Sequence, residues 1–398
     1  MPHQKNKEGV FKMTTQSKEQ KQIAIIGGGP GGLTLALILQ QKGINVTIYE
    51  REAYDKNTER GGSLDIHEET GQLALKEAGL FDQFLSKARF EGEDFRLFDK
   101  TGKIYIDETA EEDAQGTRPE IDRGELCTLL LDAVDKDCIK YGYKLKKCVL
   151  LEDGMTELHF ENGQIETTDL LIGADGAFSK VRPLLTNTDI EYSGLTMLEM
   201  SVLNASIAYP DLAEFNKRGK VFALDEEKGI IGQLNGDGTI KVYASLKVER
   251  DWLDTCGISL NEPKEAKAAI LKLFNDWDEQ LKNYIRHAED HIVTRRIYML
   301  PVGFKWERKT NVTLIGDAAH VMSPFAGEGV NMAMYDALNL ALAIISNDQD
   351  FAKAIEIYEE NMYAYSSQSA EQSNDILQLC FSDNAAEKLA NLMNSFHE

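Results

Sequence analysis

Two widely separated stretches restrict this chain more than anything else in it. The first begins at residues 22–26, a short β-branched apolar run. Gly27-Gly28-Gly29-Pro30-Gly31-Gly32 follows, and then Leu33 to Gln41, an apolar stretch of helical length that ends at Gly43. With the second apolar run, Asn45 to Glu50, this is a βαβ unit, which requires a parallel sheet. The spacing Gly27-x-Gly29-x-x-Gly32 has a physical reason at each glycine. Gly27 permits the tight turn, Gly29 lets a diphosphate come close to backbone at the helix N-terminus, and Gly32 lets helix and strand touch. Glu50, ending the second strand, can accept hydrogen bonds from a ribose. A plain glycine turn would explain the glycines but not the acid and the flanking elements as well.

The second stretch is Leu314-Ile315-Gly316-Asp317-Ala318-Ala319-His320 and its continuation through Pro324, Phe325, Gly327 and Asn331. It follows a buried strand at 311–315 and opens a helix running to about residue 345. Asp317 can accept hydrogen bonds from a ribitol chain. The helix start near Gly327 to Asn331 directs a positive dipole end at the negative N1–C2 side of a reduced flavin. The fingerprint alone fits NAD or FAD; the two stretches together predict FAD, held at both ends. Asp175 lies in Gly173-Ala174-Asp175-Gly176 ahead of Ser179-Lys180-Val181-Arg182. An acid at a strand end before a basic helix start suits a phosphate or a pyridine nucleotide, although Asp-Gly is ordinarily a turn. Arg123 opens a helix and reads by default as a surface ion pair. His67, His159 and His320 pair with no Ser or Cys in a nucleophile motif and read as ordinary imidazoles. No metal-ligand spacing is visible.

The remaining chain organises around these stretches. A hairpin is expected around Phe95, Leu97, Phe98, Ile104 and Tyr105, a helix over 126–134, strands within 143–172, antiparallel strands over 190–250, and a helix over 262–288. The fold predicted is α/β: a Rossmann-type cofactor domain made of 21–88, 108–183 and 290–349, with an inserted antiparallel-sheet substrate domain made of 89–107 and 184–289. A long amphipathic helix at 350–380 would bridge the two. Residues 1–20 are polar and read as a disordered tail. A net charge of −23 and a pI of about 4.8 argue against nucleic acid and anionic membranes as partners. No run of about 18 apolar residues is apparent, so no membrane span is expected. The five cysteines (Cys127, Cys138, Cys148, Cys256, Cys380) lack CxxC spacing, which argues against disulfides and zinc and for a cytoplasmic setting.

The order GxGxxG, DG, GD resembles the p-hydroxybenzoate hydroxylase group of single-component FAD monooxygenases. Ala24 to Pro30, Tyr49-Glu50-Arg51, Gly61-Gly62-Ser63-Leu64-Asp65-Ile66-His67, Gly71-Gln72, Ala78-Gly79-Leu80 and Gly316 to Asn331 resemble, more closely, the tetracycline-inactivating flavin monooxygenases, the tetracycline destructases. The resemblance implies that Glu50 and Arg51 hold the adenosine end of FAD. Arg123 would reach the diphosphate or ribitol, Asp65 would lie near the flavin, and Asp317 would bind the ribitol. Pro324 and Gly327 would sit beside the isoalloxazine, Asn331 would also bind the cofactor, and Asn374 would reach toward the pocket. It implies NADPH as electron donor, docking over Arg51 or Arg60, with one atom of O2 passed from a flavin C4a-hydroperoxide to an aromatic or enolic substrate. No protein nucleophile is then required. It also implies a monomer. The chain departs from these relatives at the substrate edge. Glu199, Lys220 and Lys241 stand where they carry glutamine, arginine and histidine, and Ile231 stands near the place of a ring-stacking phenylalanine; Phe325 is a further candidate substrate contact.

Other readings stay open: a same-fold monooxygenase acting on a non-tetracycline phenolic metabolite, or a protein that sequesters a flavin or drug without turnover. A flavin halogenase is disfavoured because Trp252, Trp277 and Trp306 stand alone rather than in Trp-x-Trp-x-Ile-Pro. A plain dehydrogenase leaves residues 314–331 unexplained.

Overall fold

A computed structural model describes residues 21–53, 61–110 and 117–395. Five short strands form a wholly parallel sheet in the order Val312–Leu314, Leu170–Gly173, Ile23–Ile26, Val46–Glu50, Ile139–Tyr141. Ile23–Ile26 and Leu170–Gly173 within it are apolar and buried on both faces, as a sheet covered on both sides requires. The helix Pro30–Gln41 packs on the helix Gly329–Ser346. The two approach closely at Gly31, where a Cβ would lie 2.9 Å from the Ala333 carbonyl oxygen. An antiparallel three-stranded sheet (Leu145–Leu150, Thr156–Phe160, Ile165–Thr168) is appended to this half.

The second half is a seven-stranded mixed sheet. Its order is Val293–Met299, Glu191–Val202, Ile240–Lys247, Lys228–Leu234, Lys220–Asp225, Phe95–Phe98, Ile104–Glu108. Alternation along the strands gives it two different faces. Leu198, Met200, Val202, Val221, Ala223, Ile230, Val242 and Ala244 pack under the helices Pro263–Leu273 and Glu279–Arg286. On the other face, Leu97, Leu195, Met197 and Leu224 pack against Leu377, Cys380, Phe381 and Leu389 from the C-terminal helices.

The expected long helix spans Phe351–Cys380, about 45 Å at 1.5 Å per residue. Asp350 caps its start by accepting from the Lys353 backbone N–H at 3.2 Å. Phe351, Ile355, Tyr358 and Met362 lie in the parallel-sheet core, and Leu377 and Cys380 in the core under the seven-stranded sheet. The Tyr358 hydroxyl donates to the Leu314 carbonyl (2.8 Å), tying this helix to the strand that precedes Gly316-Asp317.

Three local features differ from the sequence reading. Val293–Met299 lies within the segment assigned to the cofactor domain, yet it pairs with Glu191–Val202 as an edge of the seven-stranded sheet. The helix expected over 262–288 is two helices. Asp278 caps the second by accepting from the Gln280 N–H, and such a local side-chain bond ends one helix and starts another. Gly329–Ser346 is long and apolar enough to cross a membrane by composition, but most of it is buried inside this fold and it carries the buried Asp336.

Candidate functional site

The glycine loop is shaped by close contacts. Gly27 has φ +111°, and a Cβ there would lie 2.3 Å from the Ala174 carbonyl oxygen; at Gly32 it would lie 2.2 Å from the Gly27 oxygen. Gly29, by contrast, has nothing within 4 Å of its Cβ direction. It caps Pro30–Gln41 without any side-chain hydrogen bond, so the N–H groups of the first turn remain available to an anion. Glu50 Oε2 accepts from the Gly28 N–H (2.7 Å) and Oε1 from the Glu52 N–H (2.9 Å), fixing the carboxylate beside the loop. Arg51 is exposed and pairs with Glu52. Arg60 lies outside the described residues.

Gly316-Asp317 meets this loop from the far side of the sheet's centre. Asp317 is accessible to solvent although protein atoms enclose it on a wider scale, and that combination describes the floor of a cleft. That enclosure pushes its carboxyl above the usual range, against the opposing positive charge of His320, Arg123 and Arg182. Arg123 itself is exposed and stacks its side chain near Gly61. The backbone at Asp317 is held twice. Arg182 is buried and donates to the carbonyls of Ala318 (2.8 Å), Asp317 (3.3 Å) and Ala177 (2.7 Å), locking the Asp175-Gly176 loop to the Gly316-Asp317 loop. The basic helix start is thus an internal tie rather than a phosphate ligand. Asp175 accepts from the Lys180 N–H (2.6 Å), its Oδ1 is buried with no hydrogen-bond partner among the described residues, and burial pushes its carboxyl above the usual range.

The second hold is Asp336, wholly buried. It accepts from the Gly316 N–H (2.6 Å), the His320 Nε2 (2.6 Å) and the Tyr365 hydroxyl (2.5 Å). Burial would lower His320, but Asp336 outweighs it and holds the imidazole above its ordinary value. His320 is therefore structural, in keeping with its ordinary sequence reading.

Beyond Asp317, Pro324 is exposed and Gly327 takes the left-handed conformation (φ +69°), with Asp65 carboxylate oxygens 3.2 and 3.4 Å from its Cβ direction. The Asn331 side chain does not face outward. It accepts from the His67 N–H (2.9 Å) and donates to the carbonyls of Asp65 (2.9 Å) and Gly327 (3.2 Å), so it shapes the loop from behind. Asn374 is half-buried, beside Ser373, which bonds Ser323.

Over this loop stands the polar end of the seven-stranded sheet. Strand register aligns Glu199, Tyr243, Ile231 and Phe222 in one row and Ser201, Lys241, Gln233 and Lys220 in the next. The four candidate substrate positions are not equally free. Glu199 pairs with Arg295, Lys241 donates to Ser201 Oγ (3.0 Å), and Lys220 pairs with Glu120 (2.9 Å) and Asp65 (3.5 Å). Phe325 meets Phe381 edge-on with ring centroids 5.4 Å apart. Gln233 and Asn235, missed in the sequence, join the two halves: Gln233 donates to the Ser63 carbonyl (3.0 Å) and Asn235 accepts from the Ser63 N–H (3.1 Å). Alternation within strands could have placed Gln233 and Tyr243 on the inner face; no spacing signal marks Asp336 or Glu120.

The donor set fits FAD: open helix N–H groups for a diphosphate, the Glu50 carboxylate fixed beside the glycine loop and an accessible Asp317. Residues 20–373 match the FAD binding domain family. The chain belongs to the FAD-binding monooxygenases. Monooxygenase asqM of Emericella nidulans is 30% identical over 94% of this chain and 98% of its own length. Monooxygenase penA of Penicillium thymicola is 30% identical over 96% and 100%. Among solved structures, Klebsiella pneumoniae HpxO with FAD and uric acid shares the fold at TM-score 0.78 and 20% identity, covering 94% of this chain and 93% of that one. Tetracycline destructase Tet(51) does so at 0.68 and 20%, covering 93% and 95%. As an FAD-dependent monooxygenase the chain takes O2 and a small-molecule substrate. Bound FAD supplies the redox chemistry, so the protein's part is to bind, orient and exclude water. Absence of a nucleophile motif in the sequence agrees with that division of labour.

Proposed function

We propose that this monooxygenase hydroxylates a planar aromatic or enolic molecule of one or several rings, with NADPH as electron donor, as a monomer in the cytoplasm. The observation that carries the reading is the inner face of the seven-stranded sheet. There the half-buried Phe222 and Tyr243 line up with Ile231, with Glu199 in the same row and Gln233 and Lys241 in the next. Flat apolar surface with a few convergent polar groups is what a small ring system needs for both affinity and orientation. Fold neighbours that carry uric acid, or are described as salicylate hydroxylase or tetracycline destructases, share such oxygen-bearing ring substrates.

Tetracyclines are one candidate. A smaller phenolic metabolite is favoured by a specific observation: the polar ends of Glu199, Lys220 and Lys241 already have protein partners, so a tetracycline's polar edge would have to displace them. Lysine also lacks the bidentate geometry of arginine.

The deciding experiment follows NADPH oxidation by the FAD-loaded protein in air, with and without a tetracycline, while recording the drug's own absorbance. Drug-dependent NADPH loss with bleaching supports the tetracycline reading. NADPH loss unaffected by an intact drug directs the search to phenols. No NADPH oxidation with any ring substrate would sink the proposed donor. At the cofactor, Asp317→Ala and Arg123→Ala should each weaken FAD binding by about tenfold or more, the loss of one hydrogen bond to a charged group. Unchanged flavin retention in both would overturn the site.

A further inference from the structure

Behind the Gly327 loop runs a line of side chains whose charges alternate. Glu328 Oε1 lies 3.4 Å from His67 Nδ1, and His67 Nε2 lies 3.3 Å from Asp65 Oδ2. Asp65 Oδ1 lies 3.5 Å from Lys220 Nζ, which lies 2.9 Å from Glu120 Oε1. Arg89, paired with Asp122, closes the line at Glu120. These groups come from five different segments: the Ser63–Asp65 strand and its continuation, the start of Gly329–Ser346, the seven-stranded sheet, the Glu120–Asp122 strand and the chain before Glu91. Asp65 and Lys220 are candidate cofactor and substrate neighbours, but the reaction as derived above gives no role to His67, Glu328, Glu120 or Arg89.

His67 is the cation nearest the loop. It is almost fully buried, and its backbone N–H is held by Asn331, which also binds the Gly327 carbonyl. Glu328 Oε2 is buried with no hydrogen-bond partner among the described residues, so His67 is what answers the charge of that carboxylate. Burial would lower the imidazole's pKa, but hydrogen bonds and charge from Asp65 and Glu328 outweigh it and bring it to about 9. At neutral pH the Asp65–His67–Glu328 group therefore carries one net negative charge rather than two.

We propose that His67 is a positioning residue that sets how readily the bound flavin accepts electrons, by standing as a cation between Asp65 and Glu328 behind the loop that flanks the ring. This rests on the FAD site assigned above. A reduced flavin is more negative than an oxidised one, so each uncompensated carboxylate beside it disfavours reduction. Through Lys220 the same line continues into the substrate-side sheet, which links the charge at the ring to the seating of that sheet.

The test is the flavin midpoint potential of the FAD-loaded full chain, titrated with dithionite, for wild type, His67→Gln, Glu328→Gln and the double variant. His67→Gln should shift the potential down and Glu328→Gln should shift it up. The double variant should return close to wild type, because both changes together restore the net charge. A merely structural role would instead leave the double variant at least as disturbed as the worse single. Such a result, or an unchanged potential in Glu328→Gln, overturns the inference, and Glu328→Gln suffices if His67→Gln fails to fold. Failure of the wild type to retain yellow flavin at all would overturn the FAD site itself, a distinct outcome visible before any titration.

Discussion

The glycines of the first loop separate two demands that sequence alone merges. Gly27 and Gly32 are required by the fold, since any Cβ there meets backbone oxygen within 2.3 Å. Gly27→Ala should therefore destabilise the protein by about 1–3 kcal/mol, as overpacking does, with a lower melting temperature even without cofactor. Gly29 faces open space, so Gly29→Ala should leave the melting temperature of the cofactor-free protein unchanged yet weaken FAD binding, measured by flavin fluorescence quenching. Equal melting losses in both variants would refute this division. His67 gives a pH dependence. Its folded pKa, about 9, lies above the unfolded value, so its stabilising contribution is complete below about pH 6.5 and is lost as pH rises through 9. Melting temperature should fall across that alkaline window in the wild type, and less steeply in His67→Gln.

At the scale of elements, loops are held by buried groups from distant helices. Asp336, on Gly329–Ser346, receives Gly316, His320 and Tyr365 together. Asp336→Ala leaves two buried donors and the half-buried Tyr365 hydroxyl without this partner and should cost about 3 kcal/mol or more, with weakened flavin retention; urea unfolding of the variant measures it. Glu359, on the long helix, accepts from Trp306 Nε1 (2.9 Å) and Thr313 Oγ1 (2.8 Å) and has a similar role at the neighbouring strand. The elements were legible in the sequence where periodicity is strong: the first βαβ unit, the strand before Gly316, the long C-terminal helix. Gly27, Gly32 and Glu50 were legible as well, because a turn packed this closely on backbone excludes any Cβ and the end of the second strand marks the acid. Asp336 and Arg182 were not. Their partners, backbone carbonyls for Arg182 and the Gly316 N–H, His320 and Tyr365 for Asp336, are brought near only by tertiary folding, and a lone Asp or Arg in a helix carries no spacing signal. The partners of Lys220 were hidden for the same reason: its charge marked a polar position, but only the packed sheet shows that Glu120 and Asp65 engage it.

On the scale of the whole molecule, one 30-residue helix has its first turns in one core and its last turns in another. The two halves are therefore expected to unfold together, as a single calorimetric transition; two resolved transitions would show that the helix does not couple them. The parallel sheet sets a further condition. The strand bearing the glycine loop ends at Ile26, while Val312–Leu314, which leads into Gly316-Asp317, lies two strands away in the sheet. Ribosomes add about 5–20 residues per second, so the diphosphate loop emerges tens of seconds before the segment carrying Asp317. Until then the nascent chain holds only half a grip on its cofactor, and the cleft can close around FAD only after most of the polypeptide has left the ribosome. Flavin met before the Asp317 segment has emerged therefore finds only the diphosphate half of its site.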